Sequence, residues 1–230
     1  MEQGSKVVRK ETVRQGLPGR LLRRVFFEDV PEVVGPRLLG KLLVAKHRNG
    51  QPLAGRIVEV EAYLGPHNTP PDPAAHTHRG PTPRNEVLFG PAGHAYLYAI
   101  YGRYFCMNVS CEVAGKAGSV LLRALEPVLG TDRMAKNRGL STLSAPRLLT
   151  SGPGRLCQAL ALTRSRHNGL DLTNSASPLQ IRDDGCAVSD TLVTVRIGIT
   201  HAVDWPMRFV MDGHPCVSGP ATMRGLGKKH

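Results

Sequence analysis

The chain has 230 residues, of which 41% are hydrophobic and 21% are charged. This composition is typical of a globular protein with one large domain or two small ones, and it excludes a wholly disordered chain. No apolar stretch approaches the roughly 20 residues that span a bilayer, and no apolar segment follows the basic N-terminus. We therefore expect neither a membrane span nor a secretory signal.

The charge is strongly unbalanced, since 30 Lys and Arg against 18 Asp and Glu give a net charge of +12. A positive field of this size favours a polyanionic partner, either nucleic acid or an anionic membrane surface, over a merely solvated basic surface. The five cysteines include no C-x-x-C pair, which argues against a zinc ribbon or a redox motif. Cys106, Cys111 and Cys157 have apolar neighbours and are expected in the core of a reduced, intracellular protein.

Composition along the chain predicts three parts. Residues 1–24 carry seven Lys or Arg and two Glu without a sustained apolar period, which predicts a basic N-terminal arm. The folded domain is expected over 25–219, followed by a short basic tail over 220–230. Near its start, Asp29 is expected to cap a helix over 31–39 that ends at Gly40.

The next segments alternate between strands and loops. A strand begins at 42–44, Asn49-Gly50 is a strong hairpin signal, and the return strand is expected over 55–63. Residues 64–85 contain six prolines and three histidines with no period, which predicts a long functional loop.

The remaining elements favour an α+β fold. The predicted strands are 94–101 paired with 104–110, then 118–125, 191–200 and 208–211; the predicted helices are 131–138 and 151–162, the latter capped by Ser151. Short strands with hairpin signals favour one mixed domain with a curved, mainly antiparallel sheet, short flanking helices and a protruding β-hairpin.

A pair of carboxylates is the first candidate for chemistry. Glu59 and Glu61 are two positions apart on a predicted strand, so both are expected on one face, about 6–7 Å apart. Val58, Val60 and Ala62 are then expected on the opposite face. Such a pair suits general-base work, but the spacing alone favours a simply solvated strand face.

All five tyrosines lie between positions 63 and 104. Beside Arg103 in a basic protein, they suggest base stacking, although an aromatic cluster in the core is the alternative. Core packing is favoured for Tyr96. Tyr101 precedes a Gly-Arg turn and is expected at the tip of a hairpin.

Other kinds of site have little support. His76 and His78 lack further ligands at metal-binding spacing, so no metal site is expected. The sequence contains no serine or cysteine triad motif and no glycine-rich nucleotide motif. A phosphate site over 151–155 (SGPGR) is a weak possibility that ordinary helix capping explains as well.

Six collinear blocks resemble the alkyladenine (3-methyladenine) DNA glycosylase family of the mammalian type, and the resemblance covers about residues 26–218. The blocks are RIVEVEAYLGP (56–66), AAH (74–76), TPRN (82–85), YAIYGRYFCMN (98–108), LLRALEP (121–127) and SGPGRLCQAL (151–160). The resemblance implies a base-excision-repair enzyme that flips alkylated or deaminated purines out of duplex DNA and hydrolyses the N-glycosidic bond. The implied substrates are 3-methyladenine, 7-methylguanine, ethenoadenine and hypoxanthine. The chain departs from the family's pattern mainly at 65–75, where the loop is longer and rich in proline.

The resemblance also implies a role for each matching residue. Glu61 would activate the attacking water, with support from Arg123. Tyr101 would be the wedge that enters the vacated position in the duplex. The base pocket would consist of Tyr63, His76, Tyr98 and Asn108, with Asn108 opposing the exocyclic amine of normal guanine.

No cofactor or metal is implied, and the expected partner is double-stranded DNA. The protein is expected to be a monomer that needs no membrane and no obligate protein partner. The expected location is intracellular and DNA-associated. Three other classes remain: a metal-dependent nuclease using Glu59, Glu61 and Glu126, a bifunctional glycosylase/lyase, and a noncatalytic nucleic-acid-binding module. The eight lysines lie outside the six blocks, which disfavours the lyase because its Schiff base needs an amine. Sensitivity to EDTA, borohydride trapping and release of free base distinguish the three classes.

Overall fold

The structure, a computed structural model, describes residues 17–47 and 50–220. Its strands are β1 (Arg20–Leu21), β2 (Leu42–Ala45), β3 (Leu53–Tyr63), β4 (Ala95–Ile100), β5 (Tyr104–Cys111), β6 (Gly118–Leu129), β7 (Leu179–Asp183), β8 (Thr191–Thr194) and β9 (Arg208–Met211). Its α-helices are α1 (Pro31–Leu38), α2 (Glu86–Phe89), α3 (Thr131–Arg138), α4 (Pro146–Thr150), α5 (Pro153–Ala159) and α6 (Arg164–His167), and a 3-10 turn at Arg24–Phe27 precedes α1.

The nine strands in the described part of the chain form one sheet in which every pair is antiparallel. The main path runs β1-β7-β2-β3-β6-β5-β4, and β9, with β8 beyond it, adds to β3. β3 lies at the centre, because it pairs with β2 through residues 53–56, with β9 through residues 59–61 and with β6 along its other edge. This position explains why β3 is buried along nearly its whole length.

A bulge in β3 changes which side chains share a face. The pairing of β3 with β6 shifts register on both sides of Glu59. Val60 and Ala62 therefore pack in the main core, whereas Val58 packs in a separate cluster with Ala124 and Val210. The expectation that all three apolar residues share the face opposite the glutamates is wrong for Val58, because a bulge adds a residue and breaks the alternation.

The predicted fold class is confirmed: the chain is a single mixed domain with a curled antiparallel sheet, short helices and a protruding hairpin. The hairpin consists of β4 and β5, joined in register from Ala95↔Val109 to Ile100↔Tyr104. Two other predicted pieces agree closely, since α3 has the predicted bounds and α1 ends one residue early. No helix among the described residues is long and apolar enough to cross a membrane.

Both predicted helix caps are wrong. Val30 occupies the cap position of α1, while Asp29 accepts the N–H of Val30 at 3.0 Å and pairs with Arg37 at 3.2 Å. Gly152 occupies the cap position of α5. Ser151 instead bridges to Ala124 of β6, and its hydroxyl donates to the carbonyl of Cys216, so it ties α5 to the sheet.

Two predicted boundaries also change, and one predicted turn residue lies outside the described residues. Arg20 and Leu21, given above to the N-terminal arm, pair with β7, so the arm's boundary at residue 24 is too far along the chain; residues 1–16 and 221–230 lie outside the described residues. The turn residue Asn49 also lies outside them, although the strands flanking that turn do pair. The strand predicted over 191–200 ends at Thr194, because the segment that follows leaves the sheet to contact buried carboxylates.

Candidate active site

A cleft of about 840 Å³ opens between the proline-rich loop, the β4–β5 hairpin, the start of α5 and the segment after β8. Its lining includes the tyrosine, histidine, amide and arginine side chains of Tyr63, His76, Tyr98, Tyr101, Asn108 and Arg123. Residues 152–155 and 197–201 also line the cleft. The cleft is large enough for a drug-sized or nucleobase-sized ligand and has few converging polar groups, as ligand sites generally do.

Glu61 is fully buried, and its three hydrogen-bond partners, Tyr63, Arg123 and Ile197, line the cleft. Its Oε2 accepts hydrogen bonds from the Tyr63 hydroxyl at 2.9 Å and from Arg123 Nη1 at 3.2 Å. Its Oε1 accepts the backbone N–H of Ile197 at 2.7 Å. An ionised carboxylate has about four acceptor positions. Among the described residues three are used, and the remaining position lies on Oε1, beside the cleft-lining Ile197.

Glu59 is also buried, but its carboxylate is held by two arginines and by Ser218. Oε1 accepts from Arg123 Nε at 3.0 Å, from Arg208 Nε at 2.7 Å and from the Ser218 hydroxyl at 2.9 Å, and Oε2 accepts the Ser218 N–H at 2.6 Å. Burial raises the pKa of Glu59, but Arg123 and Arg208 outweigh it and hold the pKa below its ordinary value. The two glutamates therefore differ in chemistry, and the interpretation of their strand face as solvated is wrong for both.

Arg123 of β6 joins the two carboxylates. Burial lowers the pKa of its guanidinium, but the Glu61 and Glu59 carboxylates outweigh burial and hold that pKa above its usual value. Arg123 therefore stays protonated, and its Nη1 reaches both Glu61 Oε2 and, at 3.4 Å, the carbonyl of Ile197.

Tyr63 links the wall of the cleft to Glu61. Burial, followed by the Glu61 carboxylate, raises the pKa of Tyr63 far above its usual range, so the phenol keeps its proton and donates to Glu61. The guanidinium of Arg196 lies 4.6 Å from the centre of the Tyr63 ring. This distance is within the range of a cation–π contact.

The proline-rich loop is held by buried polar contacts rather than by helix or strand. Asp72 is fully buried and accepts the N–H groups of Leu64 at 3.2 Å and Ala74 at 3.0 Å. Asn85 donates to the carbonyls of His76 at 2.9 Å and Gly80 at 3.1 Å, which closes the far end of the loop. The loop therefore has a defined shape where it lines the cleft.

His76, Tyr96 and Tyr98 form an aromatic cluster at the cleft. The rings of Tyr96 and Tyr98 are stacked with centroids 5.4 Å apart, and the ring of His76 meets Tyr98 edge-on at 4.4 Å. His76 Nδ1 lies 3.1 Å from the Tyr96 hydroxyl. Although His76 remains exposed at the rim, loss of water around its ring and then the nearby Arg84 lower its pKa. Tyr96 is buried, as predicted.

Asn108 lies at the cleft with 6% of its surface exposed. Its Nδ2 donates to the Ser119 hydroxyl at 3.0 Å, whereas Oδ1 is buried with no hydrogen-bond partner among the described residues. A buried acceptor without a partner is costly and is satisfied by a donor on a ligand or by water.

Tyr101 is at the tip of the β4–β5 hairpin, as predicted, with 89% of its surface exposed. Its backbone has φ of +48°, followed by Gly102 at +72°. A bulky residue in this left-handed region is uncommon. The turn presents the ring outward, at the edge of the cleft that Tyr101 also lines.

Several residues of this site escaped the sequence reasoning. Arg196 and Ile197 lie within a run that alternates like a strand, and Asp72 is one acidic residue in a proline-rich segment. Ser119 had no signal beyond its place in the strand predicted over 118–125. Their functions depend on contacts between distant parts of the chain, which no local pattern reveals.

No group of three or more His, Cys, Asp or Glu side chains in the described ranges is arranged to hold a metal ion. His76 turns its ring to the aromatic cluster, and His78 is exposed. The fold therefore brings no further metal ligand to His76 and His78 among the described residues.

Comparison with known proteins decides the family. The model of the methylpurine-DNA glycosylase family matches residues 25–215, which is most of the chain. The chain belongs to this family. It is therefore a DNA glycosylase, an enzyme of DNA repair, and the family resemblance predicted from the six sequence blocks is confirmed.

Relatives from distant organisms agree with this membership. Proteins named "Putative 3-methyladenine DNA glycosylase" are 53% identical over 199 residues in Koribacter versatilis and 47% identical over 201 residues in Methanoculleus marisnigri. The matches cover 86% of this chain in both cases, and 93% and 98% of the respective relatives. A third relative, from Burkholderia lata, is 45% identical over 90% of this chain and 95% of its own length. The glycosylase domain described above thus corresponds to nearly the whole of these relatives.

Proposed function

We propose that this glycosylase flips alkylated or deaminated purines out of duplex DNA into the cleft and hydrolyses their N-glycosidic bond with a water activated by Glu61. The observation that carries the proposal is the position of Glu61. It is a buried carboxylate with one unused acceptor position, and its hydrogen-bond partners line the cleft. A base inside a duplex is shielded by stacking, so chemistry on it requires a pocket of this kind.

The cleft suits an electron-poor aromatic ring. Tyr63, His76 and Tyr98 supply aromatic surface around it, and a ring that carries positive charge is attracted to the faces of tyrosine rings. Alkylated purines such as 3-methyladenine and 7-methylguanine carry that charge. Ethenoadenine and hypoxanthine are neutral. We include them as substrates because unstacking a damaged or mismatched base from the duplex costs less free energy.

Tyr101 is the proposed wedge. Flipping leaves a gap in the base stack, and a side chain that enters through the minor groove offsets part of the cost of unstacking. Tyr101 is exposed at the hairpin tip and borders the cleft, so its ring can fill the gap while the base occupies the cleft.

Glu61 and Arg123 carry the chemical step. The bond between C1′ of the sugar and the base nitrogen breaks with its electron pair leaving on the base, which gives the sugar oxocarbenium character. The Glu61 carboxylate stabilises that charge and accepts a proton from the attacking water through the unused position on Oε1. Arg123 holds Oε2 in place through its hydrogen bond. A cationic base leaves as a neutral molecule without needing an acid.

Asn108 is the proposed discriminator against normal guanine. Its amide is held by Ser119 at the cleft wall, where it opposes an exocyclic amine at the guanine position. A pocket excludes a normal base most cheaply by leaving no room for the group that distinguishes it from the lesion.

The partner is double-stranded DNA, bound by a monomer inside the cell, and the +12 charge supports it because phosphate contacts dominate affinity for nucleic acids. The reaction stops at the abasic site. Of the lysines within the described residues, at 41, 46, 116 and 136, none lines the cleft, so these residues offer no amine for a Schiff base with the sugar.

The test is release of free base from duplexes that contain hypoxanthine, ethenoadenine or 3-methyladenine, assayed in EDTA. We expect at least one base to be released, leaving a strand that breaks only on treatment with alkali. Strand cleavage without alkali, covalent trapping by borohydride or loss of activity in EDTA would contradict the proposal.

A further inference from the structure

We propose that Arg196, clamped by Asp72 of the proline-rich loop, is a positioning residue for base excision that acts through Tyr63. The inference rests on the proposed function of Glu61. It assigns a part in the reaction to the Arg196–Asp72 ion pair. This pair lies outside the six sequence blocks, and neither residue lines the cleft or bonds the Glu61 carboxylate within the described residues.

The ion pair is entirely buried. Arg196 Nη1 lies 2.5 Å from Asp72 Oδ2, and Nη2 lies 3.0 Å from Oδ1, so the two groups meet in the two-bond geometry that fixes a guanidinium plane. Nη1 also donates to the carbonyl of Ala62 at 3.0 Å. Asp72 in turn accepts two backbone N–H groups of its own loop, which fixes the carboxylate.

The guanidinium is aimed at aromatic rings. Its central carbon lies 4.6 Å from the centre of the Tyr63 ring and 5.9 Å from that of Trp205. Because the Ala62 carbonyl and the Tyr63 ring belong to adjacent residues, Arg196 holds both the backbone and the side chain at this point of β3. The Tyr63 ring has little freedom to turn.

The orientation of Tyr63 decides what its hydroxyl does. The hydroxyl donates to Glu61 Oε2 at 2.9 Å and occupies one of the two acceptor positions of that oxygen. With Oε2 filled by Tyr63 and Arg123, the carboxylate can take a proton from water only at Oε1. A rotated Tyr63 ring frees Oε2 and lets the carboxylate turn, and small displacements of a reacting group are costly in rate.

The same ring faces the base pocket, so one arginine connects two functions. Tyr63 receives the flipped base on its cleft side and carries the hydrogen bond to Glu61 at its hydroxyl. The clamp also extends to the proline-rich loop through Asp72, and Ala74 of that loop lines the cleft. Loop, stacking ring and carboxylate therefore form one rigid unit.

The test is a double-mutant cycle on the single-turnover rate at saturating enzyme, with variants Arg196→Lys, Tyr63→Phe and both together. Lysine keeps the charge but loses the two-bond clamp and the planar contact with the ring. We expect Arg196→Lys to slow excision roughly tenfold to a hundredfold. Added to Tyr63→Phe, which lacks the hydroxyl, it should slow excision by no more than about twofold.

Arg56→Lys is the matched control. Arg56 meets Asp184 with the same two-bond geometry, at 3.0 and 2.9 Å, but unlike Arg196 it lies against no aromatic ring among the described residues. This variant should excise bases at the wild-type rate. If Arg196→Lys instead lowers only the fraction of active enzyme, or slows excision equally with and without the Tyr63 hydroxyl, Arg196 is structural and the proposal is wrong.

Asp72→Asn provides the cycle if Arg196→Lys does not fold, because it leaves the arginine in place and weakens the clamp. It should slow excision in the wild-type background and not in Tyr63→Phe, and equal slowing in both would overturn the proposal. A wild-type enzyme that releases no base contradicts the proposed function itself, so the two failures are distinguishable.

Discussion

Glu59 and Glu61 hold the same guanidinium group from two neighbouring positions of one strand, with Arg123 at 3.0 Å from the first and 3.2 Å from the second. The two carboxylates are nevertheless not equivalent. Glu59 accepts hydrogen bonds from Arg123, from a second arginine and from Ser218, whereas the partners of Glu61 line the cleft. Glu59 is suited to stabilise the sheet, and Glu61 is suited to accept a proton.

Glu61→Gln should abolish most of the activity while the protein stays folded. The substitution keeps the shape of the side chain but removes the proton acceptor, so we expect excision to fall by at least about a hundredfold. Binding of the lesion duplex should survive or tighten, because a carboxylate near phosphates is lost. Single-turnover kinetics and fluorescence anisotropy measure the two effects separately.

Glu59→Gln is the matched comparison and should lower stability first. It removes the carboxylate charge that faces two buried guanidinium groups, which costs about 3–5 kcal/mol of unfolding free energy. Denaturant unfolding at pH 7 measures this loss. A stable Glu59→Gln protein without activity, beside a Glu61→Gln protein with near-normal excision, would reverse the assignment of the two glutamates.

The contribution of Glu59 to stability should depend on pH in a defined direction. Burial raises its pKa, but Arg123 and Arg208 overcome burial and leave the folded-state pKa below the ordinary value of 4.5. Its contribution is then complete above pH 4.5 and is lost as the pH falls through the lower folded-state value. The difference in unfolding free energy between wild type and Glu59→Gln should therefore be constant near neutrality and shrink in acid. A difference that grows in acid would contradict the sign.

Local pattern predicted the parts of the site that lie on regular strands. The two-residue period placed Glu59 and Glu61 together, and the turn residues after Tyr101 placed its ring at a hairpin tip. The period failed at Val58, because a bulge depends on the strands that pair on each side and not on the residues of β3 alone.

The residues that orient the site come from distant parts of the chain. Arg196 and Asp72 are 124 positions apart, and Ile197 is 136 positions from Glu61. The β-branched alternation around Arg196 indicates a strand, yet buried carboxylates compete for its guanidinium and for the next N–H, and these long-range contacts end β8 early. The family resemblance therefore predicted roles for the residues within the six blocks. The residues that support them, such as Arg196 and Asp72, could be identified only from the three-dimensional structure.

Tyr101→Ala should weaken binding without destabilising the protein. The ring is almost fully exposed, so its loss removes no core contact and the unfolding midpoint should not change. Affinity for a lesion duplex should fall roughly tenfold, and affinity for single-stranded DNA should fall less, because only a duplex has a gap to fill. Fluorescence of 2-aminopurine beside the lesion reports flipping directly. Val113→Ala, at an exposed position outside the cleft lining, is the control and should bind normally.

His76 should be neutral while the enzyme works. Loss of water around its ring and then the charge of Arg84 lower its pKa from the usual 6.5. Its NMR titration midpoint should therefore lie below 6.5, and Arg84→Gln should move the midpoint upward by removing one of the two causes. Because the lowered pKa favours the neutral ring, protonation in acid should weaken its packing with Tyr98. A midpoint above 6.5 in the wild type would contradict the lowered pKa.

Asn108→Ala should relax discrimination against normal guanine. Asn108 lines the cleft with its amide held by Ser119, and alanine removes the group that opposes the exocyclic amine of guanine. We expect guanine excision, relative to hypoxanthine excision, to rise by at least roughly tenfold. The change removes one hydrogen bond, from Nδ2 to Ser119, while Oδ1 has no partner to lose among the described residues, so the fold should tolerate it.

Ser119→Ala separates the amide itself from its orientation. This variant keeps the bulk of Asn108 in the cleft but removes the hydroxyl that accepts from Nδ2 at 3.0 Å. If bulk excludes guanine, Ser119→Ala should keep most of the discrimination that Asn108→Ala loses. Both ratios come from single-turnover excision on duplexes that differ only in the target base. Equal rises for guanine and hypoxanthine in Asn108→Ala would show that Asn108 affects general access to the cleft and does not select the base.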